Sequence, residues 1–544
     1  MPTGAQVIVA QLEDAGVEVC FGLPGVHNLP LWEALRESPI RLVGVRHEQA
    51  AAYAADGYAR ATGRLGVALT TTGPGAANTL GAVGEAWASR SSILVIATDI
   101  PSTLRRPGIY RGVLHETAGQ ATMFAPVTRT AVVVERADQL DGLPPPVLAP
   151  PGGPSYLEVP TDFLSGEVPA LGGEWTPYAR PQTERGDPYP LIDAAERPLI
   201  WAGSGSRDRA GEVRALAERL AAPVLTTFGA RGVLSPEHPC CVGMPPHVEP
   251  AGRLWDEADL VIAFGSDLDG MNTQNWLQPQ PPHIVAVNVD PDDAGKNYDV
   301  DAVVDALDVG RIRQRDGDGD VAARLRDVRA AACRDLDPRA LRFLDAVSYA
   351  LPDDANVICD MCIPGYWIAG FHGFHGPRKL QYPMGWGTLG FAFPAALGAS
   401  LAGTGPTVSI SGDGGFLFAC GELATMAQER LPFTAVIVDD GGYGMLRYDQ
   451  ELAGETPFGV DLQTPDFAAM AASFGVRAET VEGLDDAFGE ALARHVDDAG
   501  PSVLVAKAEG LVPPPTTSPN WYRKRSVAAW SCLPRSSRNG RLPA

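Results

Sequence analysis

The chain has 544 residues, too many for one hydrophobic core, and at ~100–200 residues per domain this length predicts about three domains. Its 43 basic and 66 acidic residues give a formal net charge of −23, which argues against nucleic acid and against an anionic membrane surface as partners. Eight cysteines are too few for a disulfide scaffold, and the sequence has neither a basic leader nor an uncharged apolar run of about 18 residues, so we expect a cytoplasmic protein without a membrane span.

The first predicted unit alternates buried strands with helices, which is typical of a parallel sheet covered by helices. It contains the strand and turn VEVCFGLPG, an Ala-rich helix over 49–62, the strand and glycine turn GVALTTTGPG, and the strand SYLEVP. We therefore predict a first domain over 1–165. The polar, Pro-rich residues 165–188 are interpreted as a linker.

Two further units repeat this alternation. The second, over 188–335, includes RPLIWAGSGS, ADLVIAFGSD and HIVAVNVD; the third, over 340–515, includes ANVICDMC, PTVSISGDGGF, FTAVIVDDGGYG and PSVLVAKAE. The predicted fold class is α/β, with three domains that each contain a parallel sheet. Residues 516–544 contain several Arg and no acid, and we predict that they form a disordered basic tail.

Two glycine-rich strand ends within 408–446 carry the strongest chemical signal. In VSISGDGGF a strand leads to Asp413 and then to a helix predicted from about Leu417, and in VIVDDGGYGML a second strand leads to Asp440. Because the carboxyl ends of parallel strands meet at one edge, these carboxylates are expected to lie together, where they suit Mg²⁺. The amides of the turn glycines Gly414, Gly415 and Gly444 suit phosphate oxygens. Two solvated turns would explain either motif alone, but not both at this spacing.

The paired motifs resemble the thiamine diphosphate and magnesium signature. Residues 4–520 are similar to the superfamily that contains acetolactate synthase, pyruvate decarboxylase and benzaldehyde lyase. The resemblance implies thiamine diphosphate and Mg²⁺ as cofactors, and a homodimer or homotetramer with its sites at the subunit interface. It also implies a pyrimidine-binding domain over 1–165, a central domain over 188–335, and a diphosphate- and magnesium-binding domain over 340–515.

The resemblance also assigns the metal ligands and the loop around them. It implies that Asp413, Asp440 and the Gly442 carbonyl bind Mg²⁺, and that the loop through Gly444 and Met445 contacts the cofactor. Relatives usually have an Asn-Asn pair where this chain has Asp439-Asp440. The extra carboxylate adds negative charge, and we expect it to favour Mg²⁺.

The segments RHEQAAAYAADGYAR, TTTGPGAAN and YPMGWGTLG carry further candidates. Glu48 is predicted at the start of a helix, where an acid can have the purely structural role of interacting favourably with the helix dipole. The resemblance implies instead that Glu48 contacts the pyrimidine ring nitrogen across a dimer interface. Pro74 lies in a tight turn that is either structural or close to the pyrimidine and substrate. The resemblance places Leu389 beneath the cofactor, the alternative being a plain core position, and makes the Gly387 carbonyl an acceptor for the aminopyrimidine.

Two histidines are candidates for contact with the substrate. His27 lies in FGLPGVHNLP, and His115 lies in VLHETAGQ at a position that is Gln in the acetolactate synthase and lyase branch. Histidine titrates near neutral pH and can transfer protons, although either residue could equally make only a structural hydrogen bond.

These observations favour a thiamine diphosphate- and Mg²⁺-dependent enzyme that decarboxylates a small 2-oxo acid and ligates the product, as acetolactate synthase does. The alternatives are a simple decarboxylase, which His115 favours, and a C–C lyase of the benzaldehyde lyase type. A binding protein without turnover would not need Glu48 and both metal carboxylates. An FAD- or NAD-dependent oxidoreductase that uses the central unit is not favoured either, because GSGSRD at 203–208 is not a dinucleotide fingerprint. The segment VGMPPHVEP lacks the flavin-binding pattern of acetolactate synthases, so the resemblance does not extend to FAD. Cys359 and Cys362 are interpreted as packing residues.

Overall fold

Three parallel β-sheets, each covered by helices, form the framework of the chain in the computed structural model. The structure describes the ranges 1–106, 108–149, 152–168, 184–290, 293–315, 318–508 and 510–515. The predicted tail over 516–544 and most of the predicted linker over 165–188 lie outside them. The three parallel sheets confirm the predicted α/β fold class.

The first sheet is built from residues 19–160. Its strands are β1 (Val19–Gly22), β2 (Arg41–Gly44), β3 (Gly66–Thr70), β4 (Ile93–Asp99), β5 (Thr130–Val133) and β6 (Ser155–Pro160). Its helices are α1 (Gly4–Asp14), α2 (Leu29–Arg36), α3 (Glu48–Thr62), α4 (Pro74–Ala77), α5 (Leu80–Ala88), α6 (Gln120–Phe124), α7 (Pro145–Leu148) and α8 (Thr161–Ser165). The strand order is β2-β1-β3-β4-β6-β5, and the apolar runs of β4 and β6 are buried along their whole length because helices cover both faces.

The second sheet is built from residues 198–304. Its strands are β7 (Pro198–Ala202), β8 (Val224–Thr226), β9 (Leu260–Phe264), β10 (His283–Val287) and β11 (Ala302–Val304), in the order β11-β10-β9-β7-β8. The accompanying helices are α9 (Tyr189–Ala194), α10 (Ala210–Leu220), α11 (Glu249–Gly252) and α12 (Leu254–Glu257).

The third sheet is built from residues 356–507. Its strands are β12 (Asn356–Cys359), β13 (Leu380–Gln381), β14 (Thr407–Gly412), β15 (Phe433–Asp439), β16 (Arg477–Glu482) and β17 (Ser502–Lys507), in the order β13-β12-β14-β15-β17-β16. The remaining helices are α13 (Asp318–Cys333), α14 (Pro338–Ala350), α15 (Ile363–Phe371), α16 (Ala392–Ala399), α17 (Asp413–Phe416), α18 (Leu423–Gln428), α19 (Gly444–Leu452), α20 (Phe467–Ser473) and α21 (Asp486–Asp497).

The helix that was predicted from about Leu417 begins earlier. Helix α17 starts at Asp413, directly after β14, and a new helix starts at Leu423. An acid in the first turn interacts favourably with the helix N-terminus, so the glycine turn is itself the first helical turn. Asp413 therefore lies at the carboxyl edge of the sheet, in the first turn of a helix and not in a loop.

Helices α3 and α16 hold the first and third domains together. A Cβ added at Gly57 would overlap the Ala395 carbonyl, and one at Gly398 would overlap the Ala54 carbonyl, so the two helices approach at backbone distance. The contact explains the Ala-rich composition of α3, and it fixes one carboxyl edge relative to the other. None of the helices in the described ranges has the length and apolar character needed to cross a membrane.

Candidate active site

The carboxyl edge of the third sheet holds the two predicted metal carboxylates. Asp413 follows β14 and Asp440 follows β15, and these strands are neighbours. Asp413 is fully buried, its Oδ1 accepts a hydrogen bond from Gly414 N at 2.8 Å, and its Oδ2 has no partner in the described part of the chain. Burial, together with the nearby carboxylates of Asp440 and Asp439, raises the pKa of Asp413 to about 7. One buried oxygen is thus left in need of a proton or a cation.

The turn after β15 is shaped around the second carboxylate. Burial raises the pKa of Asp440 to about 6, although Arg447 opposes the shift. A Cβ added at Gly444 would overlap the Asp440 carboxylate, so a larger residue where α19 begins would displace that carboxylate. Arg447 donates hydrogen bonds to the carbonyl oxygens of Asp440 at 3.4 Å and Gly441 at 3.2 Å, which fixes the loop that carries Gly442.

These residues fit the cation that the resemblance implies. Mg²⁺ prefers oxygen ligands and retains several water or phosphate oxygens, and the edge offers two carboxylates and a backbone carbonyl. The described ranges contain no group of three or more His, Cys, Asp or Glu side chains that could hold a metal ion by themselves. A cation bound at Asp413 Oδ2, which has no hydrogen-bond partner among the described residues, would therefore need diphosphate oxygens to complete its coordination shell.

A third carboxylate, Asp360, lies beside this edge and was missed in the sequence. Its two oxygens accept hydrogen bonds from Gly390 N at 3.1 and 3.0 Å, and one also accepts from Phe391 N at 3.4 Å. Burial raises the pKa of Asp360 to about 6. Asp360 therefore anchors the backbone immediately after Leu389. The sequence does contain a pattern that points to Asp360, because this residue follows a buried strand in ANVICDMC just as Asp413 follows β14.

Gly387 and Leu389 lie on the segment that Asp360 anchors. Leu389 is half-buried, and Gly387 has a φ of +70°, which favours glycine. Three half-buried methionines, Met361, Met384 and Met445, pack against the same core cluster of the third domain. Met361 reaches Gly387, because a Cβ added there would lie 3.8 Å from Met361 Cε. The surroundings of the predicted cofactor segment are thus apolar and adaptable.

The carboxyl edge of the first sheet holds Glu48, which follows β2 and opens α3. Its side chain is only 7% exposed and accepts a hydrogen bond from Asn78 Nδ2 at 3.0 Å. The preceding His47 caps the helix by accepting a hydrogen bond from Gln49 N at 3.2 Å. The helix cap and Asn78 therefore fix the position of a buried carboxylate, as a proton-transferring group requires.

The turn Gly73-Pro74-Gly75 lies directly against Glu48. Pro74 is the first residue of α4. A Cβ added at Gly75 would lie 3.3 Å from Glu48 Oε1, and one at Gly73 would lie 2.5 Å from the carbonyl oxygen of His115. The turn therefore contacts Glu48 on one side and the His115 segment on the other.

The two predicted histidines contact each other at this edge. Their rings are T-shaped with centroids 5.4 Å apart, and His27 Nδ1 is hydrogen-bonded to Thr72 Oγ1 at 2.8 Å. Burial and then the adjacent His115 lower the pKa of His27, which keeps that imidazole neutral at pH 7. His115 has a φ of +68°, and its Nδ1 is buried with no hydrogen-bond partner in the residues described. A strained backbone and an unpaired ring nitrogen are typical of a residue held for function.

A buried network supports the turn from behind. Gln120 Oε1 accepts a hydrogen bond from Gly73 N at 2.6 Å, and its Nε2 donates to Thr98 O at 3.0 Å and to Tyr156 Oη at 2.9 Å. Burial raises the pKa of the adjoining Glu158 to about 7. Gln120 has no signature in the sequence, because its partner Gly73 lies 47 residues away and no local pattern reflects that contact.

Within one chain, hydrogen bonds join the carboxyl edges of the first and third sheets, but the two groups of candidate residues do not form one site. Glu422 of the third domain accepts hydrogen bonds from Arg46 N at 2.9 Å and His47 N at 3.0 Å, immediately before Glu48. Over the described residues, however, the Glu48 carboxylate makes no hydrogen bond to the third domain. One chain therefore does not bring Glu48 into hydrogen-bonding contact with Asp413 or Asp440.

A separate cavity of about 800 Å³ lies at the carboxyl edge of the central sheet. It is lined by the glycine turns after β7 and β9, and by Arg90 and Arg129, which both pair with Asp290 at 3.1 Å. None of the site residues predicted from the sequence lines this cavity.

Comparisons with known proteins agree with the three-part architecture. The N-terminal TPP-binding domain of thiamine pyrophosphate enzymes matches residues 2–123, the central domain matches 189–310, and the C-terminal TPP-binding domain matches 361–506. The chain is 34% identical over 513 residues to a probable 2-ketoarginine decarboxylase of Pseudomonas aeruginosa, covering 89% of this chain and 90% of that protein. It is 30% identical over 561 residues to a probable acetolactate synthase large subunit of Methanocaldococcus jannaschii, covering 94% and 93%. It is 32% identical over 544 residues to an acetolactate synthase large subunit of Mycobacterium tuberculosis, covering 90% and 86%.

Proposed function

The chain belongs to the thiamine pyrophosphate enzyme family, and on this premise we propose that it uses Mg²⁺ and thiamine diphosphate to decarboxylate a small 2-oxo acid and to join the remaining fragment to a carbonyl acceptor. One observation carries the proposal. The turn Gly73-Pro74-Gly75 contacts Glu48 on one side and the His115 segment on the other, so that groups able to move protons to the cofactor and to the substrate share one edge.

Thiamine diphosphate supplies, when bound, the nucleophile and the electron sink that make loss of CO₂ possible. In the proposed site Asp413, Asp440 and the Gly442 carbonyl would hold Mg²⁺. Glu48 would share a proton with the pyrimidine ring nitrogen of the bound cofactor, and Leu389 would support the cofactor. The residues proposed to contact the cofactor through backbone or side chain are Pro74, Gly387, Gly414, Gly415, Gly444 and Met445.

His115 is proposed to orient the carbonyl acceptor through its unpaired ring. Changing His115→Gln should lower the ligated product by ~10–100-fold, since the amide does not reproduce the position of the imidazole ring nitrogen, while CO₂ release persists. Mass spectrometry of the products, with CO₂ measured in parallel, checks this. His27→Gln serves as the comparison, because His27 is held by Thr72 and His115 is not. A product ratio that shifts towards ligation in the His115 variant would contradict the assignment.

The second candidate is a decarboxylase that releases an aldehyde. The observation that favours it is the contact between two imidazoles at 5.4 Å, because such a pair can deliver a proton to the decarboxylated fragment. A relative named as a decarboxylase supports this alternative, and the relatives named as synthases support ligation.

A panel of 2-oxo acids, incubated with the holoenzyme in the presence and absence of aldehydes, separates the two candidates. Ligation predicts a product whose mass contains both donor and acceptor, whereas the alternative predicts free aldehyde whether or not an acceptor is present. Absence of CO₂ from every acid in the panel would reject both.

The complete site is proposed to form between two subunits. Large apolar side chains are exposed along the first edge, at Val26, Ile109 and Leu114, and along the third, at Phe418 and Leu446. Exposed apolar side chains along both edges are consistent with surfaces that a partner covers, and a second copy would bring Glu48 of one chain to the metal edge of the other.

Mixing two inactive variants tests this arrangement. Glu48→Gln and Asp413→Ala subunits, exchanged at equal amounts, should recover about one quarter of wild-type activity, because half of the dimers are hybrids and each hybrid has one intact site. Native mass spectrometry verifies the exchange. Hybrids that form but remain inactive would place the whole site within one chain.

A further inference from the structure

We propose that Glu85, a buried acid of the first domain, positions the Gly387 carbonyl that the bound cofactor would contact. The inference rests on the proposed function, in which this carbonyl accepts a hydrogen bond from the aminopyrimidine of thiamine diphosphate. Glu85 lies in α5, outside the set of residues proposed to contact the cofactor or the substrate. Its role is therefore that of a positioning residue, which acts through the backbone it holds.

Glu85 is fully buried and is the one ionisable residue of α5. A buried carboxylate is unfavourable unless hydrogen bonds and a cation compensate it. Its Oε1 accepts hydrogen bonds from Arg60 Nη2 at 3.2 Å and from Ser89 Oγ at 2.7 Å. Arg60 also forms two hydrogen bonds with Asp56, at 2.8 and 2.7 Å, so the burial of this cation does not require Glu85. What Glu85 adds is its second oxygen, which is bonded to the third domain.

This second oxygen holds the chain on both sides of Gly387. Glu85 Oε2 accepts a hydrogen bond from Trp386 N at 3.1 Å and another from Thr388 Oγ1 at 3.4 Å. Trp386 precedes Gly387 and Thr388 follows it. None of the described residues donates a hydrogen bond to the Gly387 carbonyl, which leaves that oxygen available as an acceptor. One buried carboxylate oxygen thus fixes the backbone around an unused acceptor.

The segment that contains Gly387 is clamped between the first and third domains. A Cβ added at Gly84, in α5, would lie 2.2 Å from Trp386 Cζ3, so the segment packs closely on this helix. The third domain supplies a second carboxylate, Asp360, which holds the backbone after Leu389. Removing Glu85 therefore frees the Gly387 end of the segment, whereas the Leu389 end stays anchored.

The experiment compares two cofactor ligands by isothermal titration calorimetry of the full chain with Mg²⁺. They are thiamine diphosphate and its deamino analogue, in which hydrogen replaces the pyrimidine amino group. The wild-type chain should bind thiamine diphosphate ~3–10-fold more tightly, which corresponds to one hydrogen bond between neutral groups. Glu85→Ala should reduce this preference to less than about twofold, because the Gly387 carbonyl is no longer held. A purely structural role would weaken both ligands equally and leave the ratio unchanged.

Three further variants make the comparison specific. Glu85→Gln keeps an acceptor for Trp386 N and should retain at least about half of the wild-type preference. Glu85→Asp keeps the charge beside Arg60 but is one methylene shorter, so it should lose the preference, and it replaces Glu85→Ala if that variant does not fold. Ser89→Ala is the matched control, since it removes only a hydrogen bond to Oε1, and it should leave both affinities within about twofold of wild type.

The outcomes separate this inference from the proposed function. A wild-type ratio in Glu85→Ala and Glu85→Asp, or a wild-type chain that binds both ligands equally, would overturn the role of Glu85 while leaving the proposed function standing. A wild-type chain that binds thiamine diphosphate but releases CO₂ from no 2-oxo acid would overturn the proposed function, and the titrations would still decide the role of Glu85. Failure of the wild-type chain to bind either ligand would overturn both.

Discussion

Replacing Glu48 by Gln is expected to slow hydrogen–deuterium exchange at the thiazolium C2 of bound thiamine diphosphate by ~10²–10⁴, the range typical of losing acid–base assistance. The amide can still accept the hydrogen bond from Asn78, so the local structure should survive. It can no longer share a proton with the pyrimidine ring nitrogen. Nuclear magnetic resonance of the quenched cofactor measures the exchange rate directly.

The matched control for this variant is Glu37→Gln, which removes an exposed carboxylate from the same domain. It should leave the exchange rate unchanged. The thermal unfolding temperature of the Glu48 variant should stay close to that of wild type, because the interaction of this acid with the dipole of α3 stabilises the fold by only ~0.3–1 kcal/mol. Wild-type exchange in the Glu48→Gln protein would remove Glu48 from the proposed mechanism.

Replacing Asp413 by Ala is expected to lower the affinity for thiamine diphosphate by about 100-fold or more. Loss of one partner of a buried charged pair costs ~3–5 kcal/mol, and here it leaves the diphosphate charge without a fully bound Mg²⁺. Added Mg²⁺ should not restore the affinity. Isothermal titration calorimetry with the cofactor, at several magnesium concentrations, gives the measurement.

Asp440→Asn is the companion variant, because it introduces the residue that the resemblance leads us to expect and keeps an oxygen ligand. Its cofactor affinity should remain within about tenfold of wild type. The Asp413→Ala protein without cofactor should be as stable as wild type or more so, since a buried carboxylate with a raised pKa is removed. Wild-type affinity in Asp413→Ala, or collapse in Asp440→Asn, would refute the proposed ligand set.

The sequence allowed prediction of those parts of the structure that depend on local pattern. Buried apolar runs ending in Gly or Asp marked the strands of the three sheets, because central parallel strands are apolar on both faces. Asp413 and Asp440 could be paired because parallel strands order their carboxyl ends along one edge. Short strands such as β13 and the edge strand β16 carry too little apolar signal, and they went unrecognised.

Other parts of the candidate site depend on distant contacts. The bond from Gly73 N to Gln120 spans 47 residues, and the bond from Arg46 N to Glu422 spans 376. The left-handed backbone of His115 also has no signature, because a non-glycine residue adopts it only when the surrounding loop requires it. Asp360 is a different case: it follows a buried strand as Asp413 does, but it lies between Cys359 and Cys362 rather than before a pair of glycines.

Release of CO₂ from a 2-oxo acid labelled at its carboxyl carbon tests the central claim most directly. The purified chain is assayed with thiamine diphosphate and Mg²⁺, again after both are removed with a chelator and dialysis, and once more after both are returned. The proposed function predicts labelled CO₂ only when both are present, and at most about one hundredth of the wild-type rate from Glu48→Gln. Labelled CO₂ that forms without the cofactor, or at the wild-type rate in Glu48→Gln, would contradict it.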